Sequence, residues 1–181
     1  MEVPDQRLPA ATFENLALPL FDQLYNFACW LTQDPSEAED LVQETYTKAL
    51  RGFSSFQAGT NFRAWMYRIL RNTFLSSRTG LRPTVTLDEE DGESVAAPDN
   101  TTPESLLIAA ANRQTIQQAL GDLPVHSREI LLLCDVEEMS YKEIAETLMI
   151  PAGTVMSRLS RARKALRDSL QQKVQGRRDG V

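Results

Sequence analysis

An acidic segment near the middle of the chain constrains the fold more than any other feature. Residues 83–104, PTVTLDEEDGESVAAPDNTTPE, contain seven Asp and Glu residues and no Lys or Arg. A segment this charged and this rich in Pro, Ser and Thr buries too little apolar surface to offset the entropy lost on ordering. We therefore expect a flexible linker at 83–104 between two small domains, at 10–82 and 105–172, with a frayed basic tail at 173–181.

Basic side chains are concentrated on both sides of this linker, although the 181 residues carry a formal net charge of -6. Residues 61–82 contain five Arg and no acid, and residues 154–178 contain eight basic residues and one acid. Such segregated positive charge favours binding to nucleic acid. The overall negative charge weakens DNA binding by the isolated chain, so a large partner is expected.

Apolar residues recur at helical spacing in both blocks, which predicts an all-α fold. Residues 34–53 predict a helix with Ser36 as its N-cap and an apolar face of Ala38, Leu41, Val42, Ala49, Leu50 and Phe53. Residues 61–78 predict a second helix, with Arg68, Arg71 and Asn72 outward and an inward face of Phe62, Trp65, Met66, Ile69 and Leu70. No stretch alternates with a period of two for long enough to predict a strand.

Residues 139–166, MSYKEIAETLMIPAGTVMSRLSRARKAL, predict a helix-turn-helix. Ser140 and Glu143 have the spacing of a capping box, and Pro151 disfavours helix at the residue before it, which places the break near 149–150. The second helix should bury Val155, Leu159, Ala162 and Leu166. Its outward face then carries Met156, Ser157, Ser160, Arg161 and Lys164, flanked by Arg158, Arg163 and Arg167.

This one-sided charge indicates duplex DNA binding, because the second helix of the motif lies in the major groove while Lys and Arg neutralise phosphates. An ordinary basic surface helix is the alternative, but a solvated helix in an acidic protein should mix charges.

Six of the thirteen aromatic residues fall between positions 53 and 74, interleaved with arginines. Aromatic rings beside a cationic groove are typical of single-strand binding, because every base offers a face for stacking. Core packing is the preferred interpretation for Phe62 and Trp65. Phe56 lies in a Gly-containing loop, SSFQAGTN, where a ring can line a pocket for an extruded base. The polar face of Asp40, Gln43, Glu44 and Thr47 is either a solvated surface or a protein-docking face.

Other site chemistry is not indicated. Cys29 and Cys134 lie in apolar stretches and are expected to be reduced core thiols, and the single histidine, His126, has no metal-ligand partner at suitable spacing. We predict no metal, no cofactor and no catalytic residue, since no nucleophile motif or phosphate-binding glycine loop is present. The chain has no membrane-length apolar run and no secretory signal, so a cytoplasmic location is expected.

Together these segments resemble the extracytoplasmic-function (ECF) group, group 4 of the sigma-70 family, which are small initiation subunits of bacterial RNA polymerase. AEDLVQETYTKAL resembles region 2.2 of that family, FSSFQAGTNFRAWMYRILRNTFLSSR resembles regions 2.3 and 2.4, and residues 123–166 resemble region 4. The resemblance implies an alternative sigma factor that binds core RNA polymerase and promoter DNA. It also implies an anti-sigma factor as a further partner, and no obligate homo-oligomer. The rival interpretation is a stand-alone helix-turn-helix regulator.

The resemblance further implies three sets of binding residues. Core polymerase would contact Asp40, Leu41, Gln43, Glu44 and Thr47. The single-stranded -10 element would be read by Phe56, Asn61, Arg68, Arg71 and Asn72. The duplex -35 element would be read by Thr154, Met156, Ser157, Arg158, Ser160, Arg161 and Lys164. Some family members carry a base at position 156 and an aromatic at 160, so the resemblance implies a -35 reading helix but does not fix the -35 sequence that this chain reads. The acidic linker is either a plain tether or a partial mimic of RNA in the polymerase exit path.

Overall fold

The computed structural model describes residues 12–79 and 113–178, and every regular element there is a helix, which confirms the all-α fold class. The N-terminal half contains α1 (Phe13–Ala17), α2 (Phe21–Thr32), α3 (Pro35–Gly52) and α4 (Phe62–Thr79), with 3-10 turns at Leu18–Leu20 and Phe53–Ser55. The C-terminal half contains α5 (Arg113–Gly121), α6 (Val125–Leu131), a π-helical turn at Leu132–Val136, α7 (Tyr141–Leu148) and α8 (Ala152–Arg178). The predicted linker at 83–104 lies outside the described residues.

The N-terminal half is a bundle in which α2, α3 and α4 pack on one another. Each helix contributes a buried stripe whose members are three or four positions apart, as in Leu24, Phe27 and Leu31 of α2. Helix α4 buries a wider face than its sequence predicts, because α3 covers one side of it and α7 covers another. Tyr67 and Phe74, absent from the predicted inward set, are consequently buried.

Two local predictions for α3 were wrong. The N-cap is Asp34 rather than Ser36, since the Asp34 carboxylate accepts a hydrogen bond from the Glu37 N–H at 2.9 Å. Pro35 follows at the first helical position, where its fixed φ suits a helix start, and the residue before it becomes the cap. Leu50 was predicted to face inward but is 60% exposed, because Ala49 occupies the buried position of that turn.

The helix-turn-helix forms as predicted. The Ser140 hydroxyl accepts from the Glu143 N–H, and the Ser140 N–H donates to the Glu143 carboxylate at 2.9 Å, which completes the capping box. Met149 adopts a left-handed conformation with φ +57° and ends α7. The predicted inward stripe of α8 is buried at all four positions, Val155, Leu159, Ala162 and Leu166.

Helix α8 continues to Arg178, so the prediction that the basic tail is frayed from residue 173 was wrong for its first six residues. The buried stripe extends past Leu166 to Leu170, which is 1% exposed. One helical turn further on, the Lys173 ammonium forms an ion pair with Asp122 of the α5–α6 turn at 2.7 Å. Packing of Leu170 and this ion pair together hold the helix as far as Lys173.

The two halves of the described chain contact each other through α4 with α7 and α2 with α6. Arg128 is buried, with 9% of the residue exposed. Its guanidinium donates four hydrogen bonds to main-chain carbonyls. Helix C-termini carry partial negative charge, so a buried cation is stabilised there. Arg128 thus joins the ends of α2 and α5 through the carbonyls of Leu31, Leu120, Gly121 and Leu123.

Candidate DNA-binding and docking surfaces

The seven predicted -35 residues lie on α8 outside its buried stripe. Met156 is 62% exposed, and Ser160, Arg161 and Lys164 are also exposed, whereas Thr154, Ser157 and Arg158 are half-buried. Among the residues that the structure describes, neither Arg161 nor Lys164 forms an ion pair. The structure therefore presents cationic, hydroxyl and thioether groups along one face of one helix, a set that suits phosphates and base edges of duplex DNA.

Arg163, on the flank of this face, is paired with an acidic residue. Its guanidinium forms an ion pair with Asp135 at 2.6 Å, and the hydrogen bond that it donates to Asp135 raises the pKa of Arg163. Asp135 lies in the π-helical turn, so this pair ties the recognition helix to the rest of the C-terminal half. Among the predicted flanking arginines, Arg158 is half-buried and the charge of Arg163 is partly neutralised by Asp135.

The aromatic cluster at the start of α4 contains Phe56. Its ring stacks on Phe53 at a centroid distance of 6.1 Å and contacts Phe62 and Trp65, each at 5.2 Å. Phe56 is half-buried in this cluster instead of standing free in the loop, and the packing interpretation also holds for Phe62 and Trp65. Gly59 in the same loop has φ +89°, a conformation that favours glycine.

Asn61 has a structural role in addition to its predicted one. Its side-chain oxygen accepts from the Ala64 N–H at 3.0 Å, so it caps the first turn of α4. Its amide nitrogen donates to the Glu143 carboxylate at 3.1 Å, which links α4 to the capping box of α7. Hydrogen bonds from the Ser140 main chain and then its hydroxyl hold the pKa of Glu143 below its usual value.

The three remaining -10 residues on α4 differ in exposure. Asn72 is exposed, and Arg68 is half-buried with an Nε that has no hydrogen-bond partner among the described residues. Arg71 was predicted to face outward, but its guanidinium forms a two-point ion pair with Glu129 of α6, at 2.7 Å from Nε and 3.0 Å from Nη2. The Glu129 side chain is 2% exposed. The prediction is corrected accordingly: Arg71 faces the C-terminal half in this arrangement.

A second buried carboxylate, Glu137, binds the same helix. Its main-chain carbonyl accepts from Arg63 Nη2 at 2.7 Å, its carboxylate accepts from Arg63 at 3.3 Å, and the Tyr67 hydroxyl donates to that carboxylate. Burial raises the pKa of Glu137, and burial followed by the bond to Glu137 raises the pKa of Tyr67, so the phenol is a protonated donor.

Sequence reasoning missed both carboxylates, and it missed Arg63 as the partner of Glu137. One signal was available: Glu129 directly precedes the apolar run at 130–133, and an acid beside such a run is seldom fully buried unless it is paired. The sequence offered no means of identifying Arg71 as that partner, because the two residues are 58 positions apart.

Four of the five residues predicted to contact polymerase share one accessible surface of α3. Asp40, Gln43 and Glu44 are exposed, and Thr47 is half-buried, with its hydroxyl donating to the Gln43 carbonyl at 2.9 Å. Leu41 is a correction, since it is 6% exposed and packs in the core of the bundle. Beside this surface lies an open apolar groove of about 660 Å³ lined by Phe13, Phe21, Tyr25, Glu39, Val42, Gln43, Tyr46, Thr47 and Leu50.

No group of three metal-binding side chains occurs among residues 12–79 and 113–178. Cys29 and Cys134 are half-buried free thiols, and burial raises the pKa of Cys134. Within the same residues, no helix combines the length and the hydropathy that a membrane span requires.

Comparisons with known proteins identify two matched regions, one in each half of the chain. Residues 19–82 match the family model for sigma-70 region 2, and residues 113–166 match that for sigma-70, region 4. The ECF RNA polymerase sigma factor SigE of Mycolicibacterium smegmatis is 37% identical over 169 residues, which span 88% of this chain and 65% of SigE. SigW of Bacillus subtilis, also an ECF RNA polymerase sigma factor, is 33% identical over 156 residues, or 82% of this chain and 83% of SigW.

A solved structure is similar over nearly the whole chain. The sigma factor RpoE from Bartonella quintana, determined in complex with the anti-sigma factor NepR, matches with a TM-score of 0.67 and 33% sequence identity. The match covers 89% of this chain and 98% of RpoE. The helical architecture, the two matched regions and these relatives show that the chain belongs to the sigma-70 family of RNA polymerase sigma factors, within its ECF group.

Proposed function

We propose that this chain brings core RNA polymerase to a set of promoters by reading DNA in two places, with α8 at the -35 duplex and α4 at the -10 single strand. The observation that carries this proposal is the outer face of α8, where Met156, Ser160, Arg161 and Lys164 are exposed while the stripe on the other side of the helix is buried. The corresponding domains are 10–82 and 105–172, joined by 83–104.

At the -35 element, the two kinds of side chain have different roles. Arg161 and Lys164 neutralise phosphates, which sets affinity and its dependence on salt. Ser157 and Ser160 offer hydroxyls to base edges, and the exposed thioether of Met156 suits the methyl group of thymine. Positions 156 and 160 carry Met and Ser, which are uncharged. The bases that face these two positions are therefore read by apolar contact and by hydroxyl hydrogen bonds.

At the -10 element, α4 holds the opened strand. Arg68 binds a phosphate, the exposed Asn72 hydrogen-bonds a base edge, and Arg71 binds a second phosphate once its guanidinium is released from Glu129. Opening costs about 1.4 kcal/mol per base step, while stacking a base on a ring returns about 1–3 kcal/mol. Stacking of a base on the Phe56 ring cannot offset the melting of a whole promoter, so polymerase supplies the remaining free energy.

Core polymerase is proposed to dock on Asp40, Gln43, Glu44 and Thr47, next to the apolar groove. The polar surface sets orientation, and the groove gives apolar area that a partner side chain can bury. The chain then acts by binding, without catalytic chemistry of its own, in the cytoplasm where polymerase works. Since the similar RpoE was solved with an anti-sigma factor, we propose that a protein of that class also holds this chain inactive.

The test is transcription by purified core polymerase on fragmented genomic DNA, with and without this chain, followed by sequencing of the RNA 5′ ends. The expected result is a limited set of start sites that share two upstream sequence elements at a constant spacing. Core polymerase alone should not use those sites. A stand-alone helix-turn-helix regulator would bind promoter duplex and add no start site, and that outcome would reject the proposal.

A further inference from the structure

The C-terminal half occupies part of the proposed -10 surface with its own acids. Three residues of the N-terminal half each contact one glutamate of the C-terminal half. They are the cap residue of α4 and two arginines within α4. The pairs are Asn61 with Glu143, Arg63 with Glu137 and Arg71 with Glu129. Two of these three residues, Asn61 and Arg71, belong to the proposed -10 set.

Glu129 engages Arg71 in the manner of a phosphate. Both carboxylate oxygens accept hydrogen bonds from the guanidinium, at 2.7 and 3.0 Å. This two-point geometry is the one that arginine uses for carboxylates and phosphates alike. Because the Glu129 side chain is 2% exposed and that of Arg71 is 22% exposed, a DNA phosphate cannot reach the guanidinium fork while the carboxylate occupies it.

Glu137 covers a second part of the same surface of α4. Its carboxylate is held by Tyr67 from the bundle core and by Arg63, whose Nη2 also binds the Glu137 main-chain carbonyl at 2.7 Å. Arg63 lies two turns before Arg71 on the helix, so the two ion pairs fix the C-terminal half against one length of the proposed DNA surface. The -35 residues Ser160, Arg161 and Lys164 stay exposed in the same arrangement.

We propose that Glu129 and Glu137 are intramolecular competitors of the -10 single strand, which keep that surface shut in the free chain and leave the -35 face accessible. This inference rests on the proposed function and adds its regulation. A ligand that requires the open state loses apparent affinity in proportion to the fraction of closed molecules. By linkage, single-stranded DNA must in turn favour separation of the two halves.

The test compares Glu129→Gln and Glu137→Gln with the unaltered chain by two measurements. Small-angle X-ray scattering gives the radius of gyration, and fluorescence anisotropy gives the affinity for a labelled oligothymidine, used as a single-stranded probe without sequence preference. Each variant should have a larger radius of gyration and bind the probe about tenfold more tightly, equivalent to about 1.4 kcal/mol. Saturating oligothymidine should also expand the unaltered chain.

The matched control is Asp168→Asn, which removes the same charge from the C-terminal half at an exposed position of α8. It should leave the radius unchanged and alter probe affinity by less than about twofold, because only the net charge differs. Glutamine variants that fold, as judged by thermal unfolding, but match this control in both measurements would overturn the proposal. So would binding of oligothymidine to the unaltered chain without expansion.

If Glu129→Gln and Glu137→Gln prevent folding, Gln33→Gly provides a third variant that tests closure. Gln33 has φ +65°, which glycine adopts readily, and its amide donates to the Gln117 carbonyl across the interface at 2.8 Å. The variant should expand the chain and strengthen probe binding about twofold to threefold, and a radius and affinity equal to those of the control would count against closure. Scattering needs no polymerase, so loss of initiation with intact closure would reject the proposed function alone.

Discussion

Replacing Arg128 with methionine should destabilise the C-terminal half strongly. Methionine keeps a long apolar side chain but has no donors, so four main-chain carbonyls lose the guanidinium. The bonds to Leu31, Leu120 and Leu123 are buried, and a buried acceptor left without a partner costs about 1–3 kcal/mol. The gross loss is therefore roughly 3–9 kcal/mol.

Part of that loss is returned, because burial of the charge is itself unfavourable. Burial lowers the pKa of Arg128, and removal of a buried cation relieves a desolvation cost of several kcal/mol. We expect a net loss of about 3 kcal/mol. At 4–8 °C per kcal/mol for a domain of this size, the midpoint of thermal unfolding should fall by roughly 12–24 °C.

The assay is thermal unfolding followed by far-ultraviolet circular dichroism, with Arg163→Met as the matched control. Arg163 loses an ion pair whose side chains are 35% and 33% exposed, a change that should cost less than about 1 kcal/mol. If Arg128→Met stays within about 1 kcal/mol of this control, then water or other donors replace the guanidinium and the reasoning fails.

Three further substitutions separate the proposed roles. Asn72→Ala should impair promoter opening, seen by permanganate reactivity of unpaired thymines, while co-purification with core polymerase is retained; loss of that association would contradict the assignment. Arg161→Ala should weaken initiation about tenfold, mainly at promoters that have the -35 element, and a uniform loss at all promoters would contradict it. Ser140→Ala should lower the free energy of unfolding by about 1 kcal/mol in urea titration, and no change would show that the capping box contributes nothing.

Features encoded by local sequence were predictable. The capping box at Ser140 and the buried stripe of α8 follow from short-range hydrogen bonding and helical periodicity, and both formed as expected. The N-cap of α3 was misplaced by two positions because an aspartate before a proline competes with a serine after it, and the proline decides between them.

Features created by contact between the halves were not predictable. Arg71 has the spacing of a solvent-facing residue on α4, and only the approach of α6 makes it a partner of Glu129. Tyr67 is buried for the same reason, since its hydroxyl finds an acceptor in Glu137 that is 70 positions away. Helical periodicity describes one helix at a time, so a second covering surface is invisible to it.

The central claim, that two modules read one promoter together, is tested most directly by changing the distance between their elements. On a promoter mapped with this chain, insertion of five base pairs between the -35 and -10 elements rotates them by about half a helical turn. The account predicts that initiation from the mapped start site is lost, although each element is intact. Undiminished initiation from that site would show that only one module reads the DNA.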